Sequence, residues 1–162
     1  MVVQIIAGGQ TGVDRAALDA ALEYCFPCGG WCPRGRRAED GPLSERYPLR
    51  ETKTTAYPAR TAANVRASDG TLIIHRGQSD RGTALTGRLA AQLDKPLLIV
   101  DLQETPTAAA VERILRWSRE HAIEALNVAG PRESGQPGIY REALEVMRSP
   151  IAVRQGSGER QA

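Results

Sequence analysis

Short apolar runs alternate with amphipathic segments along this chain. Val2–Ala7 is apolar and stops at Gly8-Gly9, which predicts a buried strand. Val13, Ala17, Ala20 and Ala21 recur at helical spacing after it, with Thr11 as the expected cap and Asp14 as its capping-box partner. Gly29–Cys32 predicts a second short strand. Pro33 to Thr55 is polar and aperiodic, and a loop of that length is usually functional or mobile. Pro58 suits the first turn of a helix running to about Ala67. A third strand, Thr71–His75, precedes a helix over Thr83–Leu93, and Leu97–Asp101 follows as a strand. Thr107 is the expected cap of a helix with Val111, Ile114, Leu115, Ser118 and Ala122 on one face. Leu126–Val128 is the fifth strand. The last helix, Ile139–Met147, presents Tyr140, Ala143, Leu144 and Met147, and Ile151–Val153 reads as an edge strand. Residues 155–162 read as a polar, frayed tail. Strands alternating with helices predict an α/β fold with a mostly parallel sheet.

Three glycine-rich, charged segments each follow a strand. They are Gly8-Gly9-Gln10-Thr11-Gly12-Val13-Asp14-Arg15, Arg76-Gly77-Gln78-Ser79-Asp80-Arg81-Gly82-Thr83, and Ala129-Gly130-Pro131-Arg132-Glu133-Ser134-Gly135. Ligands of open α/β sheets bind outside the carboxyl ends of the strands, so these loops predict one convergent pocket. Helix N-termini there offer free N–H groups and partial positive charge, which suit a phosphate. The first loop is neither G-x-G-x-x-G nor a Walker A, since no G-K-[ST] follows. An ordinary nicotinamide or ATPase site is therefore not what it encodes.

Composition narrows the ligand class. The chain has 162 residues, 41% hydrophobic and 25% charged, which suits one globular domain. The net charge of +2 is too small to argue for nucleic acid, and 4% aromatic content disfavours a base-stacking platform. All but Lys53 and Lys95 of the 21 basic residues are arginines, whose planar fork suits phosphate and carboxylate. No apolar run approaches a membrane span, and the start lacks the pattern of a signal peptide. The expectation is a cytoplasmic protein with reduced cysteines. Cys25, Cys28 and Cys32 read C-x2-C-x3-C, but nothing places His75 or His121 as a fourth ligand, so small thiols packed in the fold are expected and not a metal site. His75 is a candidate base by residue type and ends an apolar strand, while Asp14, Asp40, Asp80 and Glu133 are candidate acid/base groups by position alone.

Several segments together resemble the molybdenum cofactor carrier family, a branch of the Rossmann-like SLOG superfamily. They are the first glycine loop, Gly29-Gly30-Trp31-Cys32-Pro33-Arg34-Gly35-Arg36, Ala38-Glu39-Asp40-Gly41, Glu45-Arg46-Tyr47-Pro48-Leu49, Ser68-Asp69-Gly70-Thr71, Gly82-Thr83-Ala84-Leu85-Thr86, and Asn127-Val128-Ala129-Gly130-Pro131-Arg132-Glu133-Ser134. They span about Val2 to Met147 in order. The resemblance implies a single Rossmann-like domain over residues 1–154, its sheet flanked by helices on both faces. It also implies a homo-oligomer, dimer or tetramer, and a pocket for molybdenum cofactor, a phosphorylated pterin. On that reading the amides at Gly12 and Thr83 take the phosphate, with Gly8, Gly9, Gln10, Thr11, Asp14 and Arg15 around it. Arg34, Arg36 and Arg76 meet further negative charge, Gly35, Gly77, Gly82, Gly130 and Pro131 shape the loops, Arg132 offers a donor fork to the heterocycle, and Trp31 lies against the ring. Asp40 or Glu133 accepts from the pterin's amino edge. Phosphoribohydrolases of the same superfamily look like P-G-G-x-G-T-x-x-E at the third-strand loop. Here Arg81 stands before Gly82, and Thr86 occupies the place of the glutamate. The alternatives to a carrier are a nucleotide-derivative sensor or a hydrolase of that type, with Glu39 or Asp40 replacing the carboxylate in space.

Overall fold

The computed structural model describes residues 1–78 and 81–158. Ser79 and Asp80 of the second glycine loop, and residues 159–162, lie outside the described residues. The elements are β1 (Gln4–Ile6), α1 (Val13–Glu23), β2 (Cys28–Gly29), β3 (Trp31–Cys32), β4 (Arg37–Ala38), β5 (Gly41–Pro42) and β6 (Arg50–Glu51). They continue as α2 (Tyr57–Ala67), β7 (Gly70–His75), α3 (Arg81–Gln92), β8 (Leu97–Asp101), α4 (Thr107–Glu120), β9 (Ala125–Ala129) and α5 (Ile139–Gly158).

Five strands form one parallel sheet in the order β2-β1-β9-β7-β8. Its middle strands are covered on both faces, so they read as unbroken apolar runs without alternation. All six residues of β7 are buried. One layer holds α1, α4 and α5, with α5 packed against both of the others, and the other layer holds α2 and α3. The α1 face anticipated from spacing is closed completely: Val13, Ala17, Ala20 and Ala21 are fully buried. Their small side chains let α1 lie close to the sheet and to α5. The chain enters β9 from α4 by crossing over β7, which places β9 between β1 and β7. The carboxyl ends of those three strands therefore share one crevice.

Four local expectations change. Gly29–Cys32 is not one strand. Gly30 turns the chain at φ +134, because any Cβ there would sit 2.3 Å from the Ala7 carbonyl oxygen. Cys28–Gly29 stays in the main sheet, while Trp31–Cys32 leaves it to pair with β6. The Pro33–Thr55 stretch is not structureless. It holds the β4–β5 hairpin and β6, and it buries Leu43, Tyr47 and Leu49. These apolar residues are too widely spaced to show a period, and a guanidinium organises them: Arg36 donates to the carbonyls of Leu43, Ser44, Tyr47 and Leu49. Ile151 is helical, not an edge strand, since α5 runs through Pro150 to Gly158 and packs Ile151 into the core. That also makes residues 155–158 helix instead of tail. Finally, α1 is capped by Gly12 with no side-chain bond, and α4 by Pro106, so neither Thr11 nor Thr107 caps.

Candidate functional site

A small cleft of about 60 Å³ opens at the carboxyl ends of β1 and β9, well below the ~300–1,000 Å³ usual for sites that enclose a whole small molecule. Gly8, Gln10 and Asp14 line it from the first loop and Gly130 and Arg132 from the last. The start of α3 adds Gly82 and Thr86. The three glycine loops thus converge as their positions after strands predicted.

The first loop does not present its helix start to the cleft. The Val13 N–H donates to the Pro131 carbonyl at 3.3 Å, and a Cβ on Gly12 would lie 2.2 Å from that oxygen. Beside it, the Asp14 carboxylate receives the Gln10 and Gly8 N–H groups and pairs with Arg60 at 2.5 Å. The protein's own anion thus fills the glycine nest. Burial pushes the Asp14 carboxyl up, against the pull of Arg60 and those N–H donors. Arg60 crosses directly over Gly8, where a Cβ would fall 1.8 Å from its Nη1.

Two of the cleft-lining residues carry buried donors without acceptors. Gln10 is 6% exposed; its Oε1 accepts from the N–H groups of Thr11 and Glu39, and its Nε2 is buried with no acceptor. The Nε of Arg60 is buried and unpaired as well. A buried donor without an acceptor costs about 1–3 kcal/mol, so two on one cleft wall call for an acceptor from outside. Asn64 holds the backbone of Trp31 through both halves of its amide, and Asn127 donates to Thr71. Thr86 donates to the Gly82 carbonyl.

The remaining predicted residues lie elsewhere. Thr11, Gly12, Arg15 and Glu133 line a separate depression with Asp19, Tyr47 and Tyr140. There Asp19 accepts from both tyrosine hydroxyls, and burial with that bond raises the Tyr140 phenol to about 12. Arg15 grips Asp40 with both terminal nitrogens and the Gly9 carbonyl with Nε, which occupies both residues named for the ligand. Glu133 caps α5 by accepting from the Gly138 and Tyr140 N–H groups. Gly9 packs under Leu43 and Leu49. Trp31 sits at the sheet edge under Arg50, outside the cleft. Arg34 is exposed, Gly35 donates to Glu51, and Arg36 is spent on the four carbonyls. Arg76 pairs with Glu142, and the Gly77 N–H donates to Asp101. Pro131 is buried against α1 and Thr83 is buried at the start of α3. His75 is buried at the end of β7 with Nδ1 unpartnered. Among the described residues no three His, Cys, Asp or Glu side chains gather as a metal ion requires, and Cys25, Cys28 and Cys32 are free thiols.

Sequence reading missed Arg60, Thr61 and Asn64, which all come from α2. The weak apolar face of that helix, with only Asn64 and Val65 buried, was the available signal. A helix with polar residues on its buried side covers a polar space.

The fold and the converging loops define a Rossmann-like α/β protein with a cleft at the strand ends. The chain belongs to the Circularly permutated YpsA SLOG family, whose model matches residues 5–151. It is also similar to the crystal structure of a "Putative molybdenum carrier protein" from Syntrophus aciditrophicus SB. That protein is 45% identical, with a TM-score of 0.90 over 92% of this chain and 94% of the other. No curated protein matches the chain. Among the described residues, no helix is long and apolar enough to cross a membrane.

Proposed function

We propose that this protein binds and carries a phosphorylated heterocycle, molybdenum cofactor in the first instance, in the cleft between the β1, β9 and α3 loops. The observation that carries the reading is the buried, acceptor-less Nε2 of Gln10 on the cleft wall, with the unpaired Nε of Arg60 beside it. Both donors, with Arg132 at the rim and the helix start at Gly82, suit an anionic oxygen. At about 60 Å³ the cleft takes the phosphate group and leaves the ring at its mouth, and Asn64, Asn127 and Thr61 give its walls polar edges. The 45% identical relative, named for molybdenum carriage, supports the same ligand class.

The cofactor is cargo on this reading, and the metal stays with the pterin's own sulfur atoms. The protein grips the phosphate arm and shields the ring. A hydrolytic role fits less well. Thr86 stands where the related phosphoribohydrolases need a carboxylate, and a hydroxyl bonded to the Gly82 carbonyl is no base. Asp14 is the one carboxylate lining the cleft among the described residues, and Arg60 and two N–H groups hold it. The protein is expected to act in the cytoplasm as a homo-oligomer.

The test is oxidation of protein purified anaerobically from a host that makes the cofactor, followed by measurement of released fluorescent pterin and phosphate. Near-stoichiometric release of both supports carriage. Protein that releases neither, under conditions where the host's cofactor is abundant, refutes it.

A further inference from the structure

A cavity larger than the anion cleft lies toward the amino ends of β1 and β9, beneath α4 and α5. Its volume is about 170 Å³, against about 60 Å³ for the cleft, and the two share no lining residue. Native interiors hold few voids larger than a water molecule, and an apolar cavity of about 150 Å³ stays dry and takes up benzene. The floor here is hydrocarbon. Ile5, Phe26, Ile114, Leu126, Met147 and Ile151 line it, and all six are buried.

The mouth is of a different character. The lining residues that reach solvent are Met1 and Arg119 and, in part, Val2, Leu115 and Pro150. Among the described residues no Asp or Glu lines the cavity, and Arg119 has no carboxylate within ion-pair distance. Beside it on α4, Ser118 also lines the cavity, and its Oγ is buried without a hydrogen-bond partner. A serine inside a helix ordinarily turns its hydroxyl to water or to the carbonyl four residues back, and this one does neither. An unpaired polar atom in an otherwise apolar wall calls for a partner.

A hydrocarbon floor with one unpaired cation at its mouth suits a molecule with an apolar body and a single negative head. A neutral hydrocarbon leaves Arg119 unused, whereas a carboxylate matches its planar fork. We infer that this cavity binds a small monocarboxylate, aliphatic or aromatic, with its body against Ile5, Phe26 and Leu126 and its carboxylate at Arg119. The site is separate from the anion cleft and does not depend on what that cleft carries.

Hexanoate and hexanol share a chain and differ in charge. Each is titrated into the protein and followed by the shifts of its amide NMR signals. Both are expected to shift Phe26, Leu126 and Met147 and to leave Gly8, Gly82 and Gly130 of the cleft in place, with hexanoate about fivefold the tighter. Arg119→Gln removes that advantage and leaves hexanol within twofold. Arg116→Gln, an equal loss of charge on α4 outside the cavity lining, changes neither. Ser118→Leu fills the cavity and abolishes binding of both; if that variant does not fold, Arg119→Gln still decides. Hexanoate that shifts nothing, that shifts only cleft residues, or that binds no better than hexanol overturns the inference. So does a wild-type dimer that Leu115→Asp turns into a monomer in sedimentation, since a second copy of the chain then covers the cavity.

Discussion

Gln10→Glu tests the contact with the anion by a change of one atom. The Oε1 of Gln10 accepts from the Thr11 and Glu39 N–H groups at 3.0 and 2.9 Å, and a glutamate keeps both bonds. The buried Nε2 is replaced by an oxygen that cannot donate while ionised. A hydrogen bond to a charged group contributes about 1.5–3 kcal/mol. Losing it alone weakens a phosphate ligand ~10–100-fold, since ~1.4 kcal/mol is a factor of ten. Repulsion adds to this: two unit charges ~4 Å apart at an effective dielectric of ~20 oppose each other by about 4 kcal/mol. The expected total is a loss of more than a hundredfold at neutral pH, with a lowered melting temperature as well, because the new carboxylate is buried where the amide was. Acidification restores part of it, because a protonated glutamate donates again. Titration calorimetry with the phosphorylated ligand, paired with thermal denaturation, reads both quantities. Affinity within threefold of wild type in a normally folded variant would refute the placement of Gln10 on the anion.

Gly130→Ala is expected to lower stability by ~1–3 kcal/mol or more, because its Cβ would lie 2.2 Å from the Ile74 carbonyl and 2.6 Å from Val13. A shift in urea midpoint at constant slope measures it, and an unchanged midpoint contradicts the close approach. Arg36→Met strips four carbonyls of their shared side-chain donor and should open the 33–55 excursion to limited proteolysis while the sheet survives. Protease resistance equal to wild type counts against Arg36 as the organiser. N–H donors at Gly77 and Gln103 hold the Asp101 carboxyl below its usual range. Its contribution to stability is therefore full above the unfolded value near ~3.9 and fades as pH falls through the lowered folded value. Asp101→Asn should flatten the acid limb of the stability profile below pH ~4, and an unaltered limb would remove Asp101 from that dependence.

The strand and helix order was readable because the middle strands of the sheet are covered on both faces and the edge strand β8 is apolar along its length, so each appears as an apolar run. Leu97–Asp101 matches to the residue, and the small-residue face of α1 is buried as its spacing required. The misreadings share a physical cause. Thr11, Asp14 and Arg15 look like ligand groups in sequence, yet each meets a partner far along the chain: Glu39, Arg60 and Asp40. Spacing reveals which groups are polar and near a helix start, not which internal charges neutralise them. Arg36 shows the same limit, since its four carbonyl acceptors come from a loop without periodicity. Arg60 was invisible for the opposite reason. It sits on an unremarkable helix, and only the fold carries that helix over the first glycine loop.

Native mass spectrometry of the anaerobically purified protein, wild type beside Gln10→Glu, addresses the carrier reading most directly. The account predicts a bound mass of a phosphorylated pterin on the wild type, with its metal where the host supplies it, and a bare chain for the variant. A wild-type protein that is empty, that holds a nucleotide without a pterin, or that shares its ligand with the variant would contradict it.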